Sequence, residues 1–210
     1  MSSISRKEDP RITRTRNLIL ESFGHLLTKK GFETLTIQDL ADKVQINRAT
    51  FYAHFQDKYA LLDYFVSQLF RQKIEARTLG ACQYSPENLK ILIFAVVEFR
   101  SQVRKDWAHS NQTFEALVEG TIKKQIFGLF MHWLEEVKTN VSHEISATVA
   151  ASAIYGLANY YSRAKKRPAL EKFVDEAFPL VAVIWNSLRK HGGARAGKDI
   201  LYCCWAEANF

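Results

Sequence analysis

Apolar residues recur every three or four positions along most of this chain, and the breaks in that rhythm divide it into eight helical segments. From Pro10 to Lys30 the residues Leu18, Ile19, Phe23, Leu26 and Leu27 share one face, and Gly31 supplies a stop. Thr36 opens a short second helix: its hydroxyl caps the N-terminus, Asp39 stands where a capping box carries an acid, and Ile37, Leu40, Ala41 and Val44 form the inner face. Gln45, Ile46 and Asn47 interrupt that helix, and Asn47 caps a third one, Arg-Ala-Thr-Phe-Tyr-Ala-His-Phe. Phe51 and Phe55, four apart, face inward, leaving Arg48, Thr50, Tyr52 and His54 over the outer surface. Asp57 caps a fourth helix that runs to about Thr78 with Leu61, Leu62, Phe65 and Leu69 on its apolar side.

Gly80 to Pro86 breaks the pattern and marks a domain boundary. Beyond it the spacing predicts helices at 87–105, 112–139, 144–166 and 169–190. Pro168 separates the last two, and Pro179 is expected to kink or locally unwind the final one. Residues 191–210 carry no sustained period and read as a flexible tail. The fold class is all-α: a helix-turn-helix domain over 1–57, a connecting helix over 58–78 and a larger helical domain over 79–190.

Composition narrows the setting. The 47% hydrophobic and 24% charged residues of a 210-residue chain suit an ordinary globular protein. A net charge of +7 favours a polyanionic partner, because lysines and arginines that neutralise phosphates release condensed counterions. Cys82, Cys203 and Cys204 form no C-x-x-C or zinc-finger pattern, and the segment before Asn17 has no apolar core, so a cytoplasmic protein is expected. Ile145–Ser162 approaches membrane-span length, but Ser146, Thr148, Ser152, Asn159 and Ser162 make it a buried helix of a protein with no membrane role.

Two short helices joined by a three-residue turn, the second capped by Asn and polar outside, form a helix-turn-helix, whose second helix fits the major groove of double-stranded DNA. The stretch Thr-Ile-Gln-Asp-Leu-Ala-Asp-Lys-Val-Gln-Ile-Asn-Arg-Ala-Thr-Phe-Tyr-Ala-His-Phe-Gln-Asp-Lys resembles the DNA-binding module of the tetracycline-repressor (TetR) family over residues 10 to 65. The resemblance implies a homodimeric transcription regulator with a sequence-diverse C-terminal domain for ligand binding and dimerisation. It casts Thr36, Tyr52, His54 and Lys58 as phosphate contacts. Gln38, Arg48, Ala49 and Thr50 fall at positions that commonly face base edges, with Asn47 at the head of the recognition helix. Gln45 stands where the family's turn usually carries Gly, which implies some backbone strain if its φ is positive.

For an effector pocket the candidates are Phe94, Phe99, Trp107, Phe114, Phe127, Phe130, Met131, Trp133, Tyr155 and Tyr160. Small residues crowd Ile145–Ser162, and the final helix is strongly apolar, so Ala151, Ile154, Ala158, Val181, Ile184, Trp185 and Leu188 are the expected dimer interface. His109, His132 and His143 have no ligand spacing, and neither a G-x-S-x-G nor a glycine-rich phosphate loop occurs, so neither an enzyme nor a cofactor or metal site is expected. The resulting expectation is a repressor released from a near-palindromic operator by a small-molecule effector. The alternatives are control by a partner protein and ligand-independent DNA binding.

Overall fold

The structure, a computed structural model, describes residues 9–78, 83–107, 111–135 and 137–190. Its helices are α1 (Pro10–Lys30), α2 (Ile37–Val44), α3 (Arg48–His54), α4 (Lys58–Thr78), α5 (Pro86–Asp106), α6 (Gln112–Leu134), α7 (His143–Arg163) and α8 (Leu170–Lys190). No strand occurs among the described residues, and the expected flexible tail 191–210 lies outside them.

The chain divides into two compact units, Met1–Phe65 with Asp106–Leu117, and Val66–Lys105 with Val118–Phe210. In the first, Ile19, Phe23 and Leu27 of α1 are buried with Leu40, Ala41, Phe51, Phe55, Leu61 and Leu62. The Phe65 ring lies edge-on to Phe23, with centroids 5.2 Å apart. Gly24 makes room for it, since a Cβ there would stand 3.1 Å from the ring. The corner between α5 and α6 completes this core: Trp107 packs against Phe65 at 6.1 Å and Phe114 against Phe32 at 5.9 Å. The division falls inside α4, the helix expected to connect the domains, and two aromatics distant in sequence close the core around Phe32 and Phe65.

In the second unit α5 buries Leu89, Leu92, Ile93, Val96, Val97 and Val103. Phe70 meets Phe99 edge-on at 5.5 Å. Arg100 is 1% exposed and donates to the Asn159 side-chain oxygen at 3.3 Å. Between α7 and α8 the Tyr161 hydroxyl donates to the Pro168 carbonyl at 2.9 Å, fixing the corner. Two expectations change here. α6 ends at Leu134, five residues before the expected 139. Glu135 follows immediately, and a carboxylate at a helix C-terminus opposes its dipole. α8 is helical through Pro179 rather than unwound, so the ring removes one backbone donor and the turns on either side persist.

Candidate nucleic-acid interface

The first unit builds a helix-turn-helix from local chemistry. Thr36 Oγ1 accepts from the Asp39 N–H at 3.1 Å, while Asp39 Oδ2 accepts from the Thr36 N–H at 3.0 Å, a reciprocal box that satisfies two donors at the start of α2. The Lys30 ammonium reaches Asp39 at 2.5 Å. These contacts, led by the Lys30 hydrogen bond and then those from Thr36, hold the Asp39 carboxyl down at about 2, against an ordinary 3.8. α2 stops at Gln45, which takes the left-handed conformation (φ 60, ψ 45), and the next N–H, of Ile46, returns to the Ala41 carbonyl at 3.0 Å. Asn47 Oδ1 then accepts from the Thr50 N–H at 2.7 Å and the Thr50 hydroxyl at 2.9 Å, starting α3.

Phe51, fully buried, and Phe55 anchor α3 to the core. Anchoring that face turns the other outward, so Arg48, Ala49 and Tyr52 are exposed and Thr50 and His54 are half-buried. Arg48 and Tyr52, one turn apart, are brought together: the guanidinium lies 3.4 Å from the phenol oxygen, at the outer limit of a hydrogen bond. Thr36 and Gln38 are exposed at the start of α2, where the Gln38 amide donates to Asp42 at 2.7 Å. Asn47 and Thr50 are partly committed to each other, so their first task is to begin the helix.

Lys58, expected on phosphate, is placed differently. Its ammonium lies 3.2, 3.1 and 3.3 Å from the carbonyl oxygens of Phe32, Glu33 and Leu35, and 4.8 Å from the centre of the Phe32 ring. An ammonium has three donors, and here each has an acceptor. A phosphate would have to displace one of them. The Asp57 carboxylate caps α4 by accepting from the Tyr59 and Ala60 N–H groups at 2.8 and 2.7 Å. A cation at a helix N-terminus opposes the helix dipole, and here carbonyls and an acid of the protein itself offset it.

The aromatics considered for an effector are split between the two units. Trp107 and Phe114 belong to the core of the first unit. In the second, Phe130, Trp133 and Tyr155 are buried, Phe99 is 7% exposed, and Phe127 and Met131 are half-buried. Only Phe94 among them lines the open groove of about 470 Å3, which Arg77, Lys90, Ile91, Glu171, Val174 and Asp175 complete. Lys90 bridges that groove to Asp175 at 2.8 Å. Burial pushes Glu98 up, but hydrogen bonds from Lys73 and Arg77 outweigh it and leave the carboxyl below its usual range.

The proposed interface residues also lie elsewhere than expected. Ala151, Ile154, Ala158, Val181, Trp185 and Leu188 are buried within their own unit and Ile184 is half-buried. The exposed apolar residues of α7 and α8 are instead Ile145, Val149, Tyr160, Leu180 and Val183. Ser152 and Gly156 continue the α7 stripe, and a Cβ on Gly156 would meet nothing within 4 Å. The missed signal is the spacing 145, 149, 152, 156, 160, a second helical face beside the alanine-rich one.

Among the described residues no group of three or more His, Cys, Asp or Glu side chains could hold a metal, and no helix is long and apolar enough to cross a membrane.

Comparison with known proteins agrees with the helix-turn-helix geometry. The family model for bacterial regulatory proteins, tetR family, matches residues 19–65. An uncharacterised HTH-type transcriptional regulator of Bacillus subtilis, YxbF, is 32% identical over 74 residues, which are 35% of this chain and 20% of that protein. The match thus spans about a fifth of that relative's length. A TetR-family regulator of Streptomyces coelicolor superposes with a TM-score of 0.62 at 17% identity, covering 86% of this chain and 99% of its own. The transcriptional regulator FadR of Bacillus subtilis, in complex with stearoyl-CoA, has a TM-score of 0.50 at 12% identity over 79% of this chain and 96% of its own. At such identities the likeness is one of fold.

Proposed function

We propose that this chain, which belongs to the tetR family of bacterial regulatory proteins, works as a cytoplasmic homodimer that binds a near-palindromic operator and leaves it when a small-molecule effector binds the second unit. One observation supports the DNA-binding part most directly. A capped seven-residue helix, held by Phe51 and Phe55, presents Arg48, Ala49 and Tyr52 to solvent beside the exposed start of α2. A helix so braced fits the major groove, and a guanidinium matches the O6 and N7 acceptors of guanine. Tyr52, His54 and Thr36 are assigned to phosphate, and Arg48, Thr50 and Gln38 to base edges.

Dimerisation is assigned to the exposed faces of α7 and α8. Leu180 and Val183 are 69% and 62% exposed, and Ile145 is 62% exposed. Ser152 and Gly156 between the larger residues allow close helix approach. Two copies related by a two-fold axis would cover this surface and place two recognition helices on paired half-sites. Effector control is favoured over a partner protein because a fold neighbour was solved with stearoyl-CoA, although this chain's own ligand need not share that chemistry.

Footprinting on the DNA upstream of the protein's own gene tests the reading. A protected near-palindrome is expected, with affinity that falls steeply with salt. Absence of protection on any near-palindromic site at low salt would overturn it.

A further inference from the structure

The second unit holds an aromatic cluster with two unanswered donors. The Tyr84 ring lies flat on Trp185, with centroids 3.7 Å apart and planes 12° from parallel. The same ring meets Trp133 edge-on at 5.7 Å. Trp133 and Trp185 are 7% and 4% exposed, yet the indole N–H of each has no hydrogen-bond partner. Buried polar groups are nearly always satisfied, so two orphaned donors around one ring require an account. Tyr84 is half-buried and precedes α5, whereas the two tryptophans sit on α6 and α8. The tyrosine thus covers a site whose walls are helical.

We propose that the slot filled by Tyr84 is the aromatic subsite for the effector, which is an uncharged, flat ring system carrying a carbonyl or ring-nitrogen acceptor. The effector stacks on Trp185 in place of Tyr84, and its acceptor receives the indole N–H of Trp133, whose ring meets the slot edge-on. Stacking of this kind favours planar ligands, and an acceptor supplies what the buried Trp133 indole lacks. Both donors are neutral, so a carboxylate would lose its hydration without a compensating charge. The proposal rests on effector control as read above. Tyr84 then acts as an internal competitor, lowering apparent affinity by the fraction of molecules in which its ring is seated.

Coumarin and naphthalene, similar in size and differing in the lactone acceptor, are the probes. Each is titrated into the full chain while tryptophan fluorescence is followed. Coumarin is expected to quench saturably, to bind Tyr84→Ala more tightly than the wild type, and to exceed naphthalene by about tenfold in that variant. Trp133→Phe, which keeps a ring and removes the donor, should reduce that preference, whereas Trp185→Phe, which keeps a stacking face, should leave it in place. Tyr84→Leu serves if Tyr84→Ala does not fold by circular dichroism. Equal binding of the two probes would mark an ordinary apolar cavity and overturn the subsite, as would no quenching in either Tyr84 variant. Release of an operator complex is measured separately. Coumarin that fills the slot, shows the preference and leaves DNA bound upholds the subsite but overturns effector control through it.

Discussion

Lys58 donates to the carbonyl of Leu35 at 3.3 Å, one residue before the Thr36 cap that opens α2. With the Phe32 and Glu33 carbonyls sharing the same ammonium, the first turn of α4 is tied to the corner that orients the helix-turn-helix. Lys58→Met should therefore lower stability by about 1–3 kcal/mol, as expected when buried or partly buried carbonyls lose a charged donor. Operator binding weakens as the corner loosens, but the slope of log affinity against log salt stays the same. A slope smaller by about one in the variant would show instead that Lys58 neutralises a phosphate.

Gln45 is the one non-glycine residue with positive φ among the described residues. A Cβ in the left-handed region costs about 1–2 kcal/mol, and glycine escapes that cost at the expense of a more flexible unfolded chain. Gln45→Gly should raise stability by about 1 kcal/mol in urea unfolding, with an unchanged m-value. Destabilisation would mean that the Gln45 side chain makes contacts worth more than the strain.

The capped helices of the first unit were legible because each signal was local. Thr36 with Asp39, Asn47 with Thr50, and Phe51 with Phe55 lie within four residues of one another, where helical geometry dictates who meets whom. Lys58 was not legible in that way: its acceptors lie 23 to 26 residues earlier, on backbone carbonyls that carry no sequence signature. Trp107 and Phe114 were misplaced for the same reason, since their partners Phe65 and Phe32 are tertiary. On α7 the pattern has two apolar faces, and sequence alone does not say which one a helix buries against its own unit. The alanines went inward, and Ile145, Val149 and Tyr160 stayed outside.

Arg48 and Gln38 should set sequence preference. Arg48 is held by Tyr52 at 3.4 Å, a contact weak enough to be exchanged for a base. Arg48→Ala is expected to cost about 1–3 kcal/mol on the preferred operator and much less on a site already mutated at the base pair it reads. Gln38→Ala should behave likewise at a different position. Binding to a library of single-base variants measures both, and a uniform loss across all sites would remove these residues from base readout.

The exposed face of α8 should control the oligomeric state. Leu180→Asp with Val183→Asp places charges where two copies are proposed to meet, and burying them unpaired is costly. Sedimentation is expected to show a monomer with unchanged far-ultraviolet circular dichroism, and operator affinity should fall because paired half-sites are no longer bound together. A dimer that survives both substitutions would assign the interface elsewhere.

Asp39 supplies a pH dependence with a definite sign. Its carboxyl titrates near 2 in the folded protein because of the Lys30 hydrogen bond and those from Thr36, whereas its ordinary value is 3.8. A folded value below the ordinary one means that the folded state binds fewer protons, so the stabilisation is fully present above about pH 4 and fades as the pH falls toward 2. Asp39→Asn lacks this titration while keeping the shape of the side chain. The stability difference between wild type and Asp39→Asn should therefore be largest above pH 4 and shrink steadily as the solution is acidified to pH 2, followed by thermal unfolding at fixed salt. The carboxylate is exposed enough for salt to screen the Lys30 pair, so raising the salt at pH 6 should remove part of the difference and leave the part due to the Thr36 cap. A difference that does not change with pH would place the stabilisation in packing rather than in the charge.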